Sequence, residues 1–160
     1  RWMLLKTITA FTLAHSITLA LSIFEIVRLP QAPVEAVIAL SIVFLARELA
    51  QDEQQRSVLT RGQPWLMAFV FGLLHGLGFA GALSDIGLPE DAIGMSLLLF
   101  NIGIELGQLI IIALFLLIAR MWHLLTKRLN YTEAHLYTGT AFAMGILASY
   151  WTIDRTLLLL

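Results

Sequence analysis

Long apolar runs, each broken by a cluster of prolines and charges, constrain this chain more than any other feature. A helix needs roughly 20 apolar residues to cross the hydrocarbon of a bilayer. Runs of about that length fill most of the 160 residues, of which 59% are hydrophobic and 13% charged. The mean hydropathy of +0.84 is far above that of a soluble domain. Five segments emerge, at about 2–27, 34–48, 65–84, 92–122 and 134–151. The breaks are "RLPQAP", "QDEQQRSVLTRGQP", "DIGLPED" and "TKRLNYTE". The expected fold is an all-α, single-domain, polytopic transmembrane bundle of five spans, seated in the bilayer. "RWMLLKT" does not open a signal peptide, because the apolar run outlasts an h-region and meets no small-residue cleavage site.

Loop charge gives an orientation. Arg1, Lys6, Arg47, Arg56, Arg61, Arg120, Lys127 and Arg128 fall at one side of a five-pass chain. Arg28, Asp85, Glu90, Asp91, Asp154 and Arg155 fall at the other. The positive-inside rule then predicts a cytoplasmic N-terminus and an outside C-terminus. Trp2, Trp65, Trp122 and Trp151 sit at segment ends, as interfacial anchors do. There is no cysteine, which excludes disulfides and thiolate metal sites. A formal net charge of -1 argues against nucleic acid as a partner.

Three ionisable groups share the depth of the bilayer midplane: His15 in "FTLAHSITLAL", His75 in "FGLLHGLGFAGAL" and Glu105 in "FNIGIELGQL". A charge there costs about 3 kcal/mol on insertion scales. Such groups persist by pairing, by facing a cavity or by binding an ion. Asn101, Glu105 and Gln108 follow i, i+4, i+7 and make one polar stripe. Gly72 with Gly76, and Gly103 with Gly107, form two small-xxx-small patterns that permit close helix approach. Two imidazoles, a carboxylate and amide oxygens suit a divalent transition metal such as nickel or zinc, and argue against copper(I). The expected metal ligands are His15, His75 and Glu105. Asn101, Gln108, Ser16, Thr12 and Glu35 are expected as supporting or pathway groups. A plain interhelical hydrogen bond is the structural alternative for either histidine. Ser16 and Thr12 can equally bond their own helix carbonyls. Two other functional readings use the same residues. One is an intramembrane zinc-dependent hydrolase, whose metal would hold an activated water. The other is a b-type haem protein with His15 and His75 as axial ligands.

"TAFTLAHSITLAL", "PVEAVIALSIVFLARE", "FGLLHGLGFAGAL" and "LLLFNIGIELGQL" together resemble the HupE/UreJ family of bacterial membrane proteins. The likeness covers four segments in order. It implies a multi-pass inner-membrane transporter or handler of nickel rather than an enzyme, with hydrogenase or urease maturation proteins as partners. His15, Ser16, Glu35, His75, Asn101, Glu105 and Gln108 stand at its motif positions. The sequence begins after the point where members of this kind carry a further helix with a Gly-x-Asp-His type motif, so either the sequence is incomplete or that helix is absent. A homo-oligomer is also expected, because five helices make a small bundle.

Overall fold

The computed structural model describes residues 2–52, 54–87, 89–126 and 133–160, and every regular element among them is helical. The elements are α1 (Trp2–Ile23), α2 (Gln31–Ala50), the short α3 (Val58–Gly62), α4 (Pro64–Ile86), α5 (Ile93–Thr126) and α6 (Glu133–Leu157). A single 3₁₀ turn, Glu90–Ala92, leads into α5. Among the described residues, three helical stretches are long and apolar enough to cross a membrane: Trp2–Ile23, Pro64–Gly81 and Ile93–Leu124. At 20 and 25 residues, α2 and α6 have the length but are more polar, carrying Glu35, Arg47 and Glu48, and Asp154 and Arg155. Arg1, Lys127 and Arg128, used above for orientation, lie outside the described residues, as do the side chains of Asp85 and Glu90.

The first helix stops earlier than its apolar run suggests. Glu25 adopts φ 58°, in the left-handed region. The Ile26 N–H reaches back to Leu21 O at 2.9 Å and the Glu25 N–H to Ser22 O at 3.0 Å. This paired 6→1 and 5→2 closure satisfies orphan carbonyls at a helix C-terminus, and it usually employs glycine. Elsewhere the helix ends follow local chemistry. Pro64 opens α4 at a position whose N–H would have no partner anyway. Ser57 caps α3 by accepting from the Thr60 N–H at 3.1 Å. The buried carboxylate of Glu48 accepts the Ser57 N–H at 2.7 Å and pins the loop between α2 and α3.

Packing follows the glycines. A methyl group on Gly72 would overlap the Phe11 carbonyl oxygen, and one on Gly76 would overlap both His15 O and Thr18 Oγ1. The backbones of α1 and α4 therefore touch, and their contacts rise together in residue number, so the two helices run parallel. Lys6 Nζ lies 4.0 Å over the Trp65 ring at their shared starting end. The second glycine pair behaves differently. Gly103 and Gly107 have nothing within 4 Å of an added Cβ among the described residues. The pattern on α5 thus makes no close helix contact here, contrary to the reading of both pairs as packing sites.

The remaining helices alternate. Phe44 packs on Phe71 while Gln31 reaches Gly78, so α2 runs antiparallel to α4. Ala46 meets Gly145, and Glu35 pairs with Arg155 at 2.9 Å, so α6 runs antiparallel to α2. Phe100 and Gln108 meet His15 and Thr12 respectively, so α5 runs antiparallel to α1. Ordered by contact, the bundle reads α6, α2, α4, α1, α5. Leu19, Ala80, Leu83 and Leu97 form a small apolar core beyond the histidines, where α1, α4 and α5 converge.

Two measurements check this packing. Gly76→Ala should lower stability by about 2–3 kcal/mol, because it meets backbone rather than a yielding side chain. Gly103→Ala should be nearly silent in the same thermal unfolding assay in detergent. Glu25→Gly should raise stability by about 0.5–1 kcal/mol by relieving the left-handed strain; a fall would show that the turn is held by something other than its backbone closure.

Candidate functional site

The α1–α4 seam carries the two histidines that the sequence placed in the middle of apolar runs. Phe11 and His15 share a face of α1, one turn apart, and His75 and Phe79 do the same on α4. Gly72 and Gly76 bracket His75 and let these faces meet. Phe11 contacts both imidazoles, with ring centroids 6.0 Å from His15 and 5.4 Å from His75. Phe79 lies edge-on to His15 at 5.5 Å, and Phe100 of α5 stacks on it at 6.4 Å. The site is thus a pair of imidazoles walled by three phenyl rings.

The two histidines differ in one decisive respect. His75 Nδ1 lies 2.8 Å from the Phe71 carbonyl. A carbonyl only accepts, so Nδ1 carries the proton and the neutral ring keeps its lone pair on Nε2. A backbone bond of this kind orients a ligating imidazole and fixes its tautomer. His15 is fully buried, and neither of its ring nitrogens has a hydrogen-bonding partner among the described residues. An unsatisfied buried polar group costs about 1–3 kcal/mol, so this arrangement is unfavourable without a ligand on the ring.

The polar stripe of α5 meets α1 beside this pair. Ser16 Oγ lies 2.7 Å from both Asn101 Oδ1 and Thr12 O, a hydroxyl shared between two acceptors. Asn101 Nδ2 donates to Leu97 O at 2.8 Å, which turns its oxygen toward Ser16. Thr12 Oγ1 donates to Gln108 Oε1 at 3.5 Å, a long contact. Ser16, Thr12, Asn101 and Gln108 are therefore brought together as a hydrogen-bonded seam. Glu105 lies between Asn101 and Gln108 along the helix but is exposed. Among the described residues no group of three or more His, Cys, Asp or Glu side chains is gathered as a metal site. His15 and His75 thus share contact with the Phe11 ring, and Glu105 stands at the exposed margin.

Glu35 belongs to a second polar chain, toward the end of the bundle where α2 begins. Gln31 Nε2 donates to Glu35 Oε1 at 3.0 Å and also to Gly78 O, three residues beyond His75. Arg155 NH1 closes the chain at 2.9 Å from Glu35 Oε2, and its Nε faces Asp154 Oδ2 at 3.3 Å. Sequence reasoning missed Arg155 and the phenyl walls. Both left a signal: Arg155 falls on the same predicted side as Glu35, and each histidine has a phenylalanine one turn away.

Membrane-length apolar helices around a buried imidazole and a half-buried one define an α-helical membrane protein. The chain matches the family model described as HupE / UreJ protein over residues 2–155, and it belongs to that family. No curated protein and no solved structure matches it.

The unpartnered ring gives a direct check. His15→Leu removes an unsatisfied polar group while keeping most of the volume, so thermal stability in detergent should hold or rise by about 1–2 kcal/mol. A large loss would mean that the His15 nitrogens are satisfied within the fold.

Proposed function

We propose that this protein is a multi-pass inner-membrane transporter or handler of a divalent transition metal, nickel foremost, with His15 and His75 as its nitrogen donors. One observation carries this reading: a fully buried imidazole with both nitrogens unpartnered stands beside another whose tautomer is set by the Phe71 carbonyl. Imidazole suits nickel and zinc alike. Nickel comes first because the family is associated with hydrogenase and urease, which require it. The alternating directions of α1, α2, α4, α5 and α6 support five passes, with the basic ends in the cytoplasm.

Glu105 supplies the charge in this proposal, and α5 supplies the movement. At 3.6 residues per turn, Glu105 stands about 40° around the helix from Asn101 and about 60° from Gln108, both of which face α1. A roll of α5 by about that much exchanges the Ser16 and Thr12 contacts for the carboxylate. The ion then has two nitrogens and an anionic oxygen at midplane, and reversal of the roll releases it. In such a roll α5 exchanges the shared Ser16 hydroxyl, the long Thr12–Gln108 bond and the Phe100 ring, and turns Leu97 within the apolar core.

Uptake of Ni²⁺ into proteoliposomes should fall at least tenfold in His15→Ala, His75→Ala and Glu105→Gln. Retained uptake in His75→Ala would sink the proposal. Uptake that survives only in Glu105→Gln would keep the imidazole pair and remove the rolling step.

A further inference from the structure

The outward face of α2 is flanked by two apolar grooves that share one cation. The groove between α2 and α4, of about 490 Å³, is lined by Val37, Leu40, Phe44, Leu74 and Arg47. The groove between α2 and α6, of about 470 Å³, is lined by Val43, Ala46, Phe142, Gly145, Ser149 and again Arg47. A Cβ on Gly145 would lie 3.5 Å from Ala46 Cβ, an ordinary contact, so a side chain can be introduced into the wall of this groove without a backbone clash.

Arg47 lies in the last turn of α2. Its side chain is 64% exposed, and its ion pair is a long 3.4 Å contact from NH1 to Glu48. A guanidinium has five N–H donors in a fork that matches phosphate, so most of its donors are open to a ligand. From Arg47 the α2–α4 groove runs along α2 to Val37, ten residues or about 15 Å of helix. That is half of the roughly 30 Å hydrocarbon thickness, the depth of one leaflet. Lys6, Arg56 and Arg61 lie at the same end of the bundle, where anionic headgroups are attracted.

We propose that Arg47 and these two grooves form a specific site for one anionic diacyl phospholipid. The phosphate sits on the Arg47 guanidinium, and the two acyl chains lie on either side of α2. Charge complementarity selects the headgroup. The pair of grooves meeting under one cation selects a two-chain lipid over a single-chain one. The site is separate from the histidine pair and requires no metal.

Native mass spectrometry of the detergent-purified chain tests this with dioleoyl phosphatidylglycerol, dioleoyl phosphatidylcholine and lysophosphatidylglycerol. Wild type should retain one phosphatidylglycerol about fivefold better than phosphatidylcholine, the factor expected from one arginine at the headgroup. Arg47→Gln should bring that ratio to about one, while Arg47→Lys keeps most of it. Gly145→Leu should weaken both diacyl lipids without changing their ratio. Equal retention of the two headgroups by wild type, or an unchanged ratio in Arg47→Gln, overturns the proposal. Retention of the lysolipid as strong as that of phosphatidylglycerol, or diacyl binding untouched by Gly145→Leu, overturns it as well. A matching size-exclusion profile for each variant shows that the change is in lipid binding and not in folding.

Discussion

The contact between the α1 and α4 backbones at Gly72 and Gly76 is the constraint on which the rest of the structure depends. No side chain larger than hydrogen fits at either position. In hydrocarbon there is no hydrophobic drive to join helices, so close approach must be earned by van der Waals contact over small residues. That approach sets His15 against the phenyl wall shared with His75, and it carries Phe79 to the far side of the same ring. The hydroxyls of Ser16 and Thr12 and the amides of Asn101 and Gln108 gather beside this seam.

The seam also explains how unfavourable groups persist in an apolar interior. The hydroxyls of Ser16 and Thr12 are satisfied by their own helix or by the amides of α5. His75 is satisfied at one nitrogen by Phe71. Only His15 is left with neither nitrogen engaged, and it is also the more deeply buried of the two histidines. Natural cores seldom tolerate such a group without a purpose. The strained turn at Glu25 and the buried carboxylate of Glu48, by contrast, have purely structural explanations in helix closure and loop capping.

Much of this was legible from residue order alone. Depth within an apolar run placed His15 and His75 at one level, and the family resemblance rested on the same motifs. What the order could not convey was which helix faces which. Gly72-xxx-Gly76 and Gly103-xxx-Gly107 are the same pattern, yet only the first is buried against a neighbour. Periodicity put Asn101, Glu105 and Gln108 on one stripe, but a stripe some 60° wide has a centre and edges, and Glu105 falls on an exposed edge. Loop counting put Arg155 at the same end as Glu35. Its pairing with Glu35 depends on α6 docking against α2, which no local signal announces. The first helix ended early because a left-handed residue other than glycine closed it, a choice that apolar periodicity does not register.

The parallel pairing of α1 and α4 has a consequence for how the chain is made. These helices are not neighbours in sequence, and α2 must leave and return before α4 can arrive. His15 therefore emerges on an early helix with its eventual partner 60 residues away, His75. Until α4 has been synthesised and inserted, a polar ring stands in α1 without its phenyl enclosure or its glycine-lined neighbour. The histidine centre is completed only after α4 has been made, and an interrupted chain ending before α4 would hold one half of it with nothing to complete it.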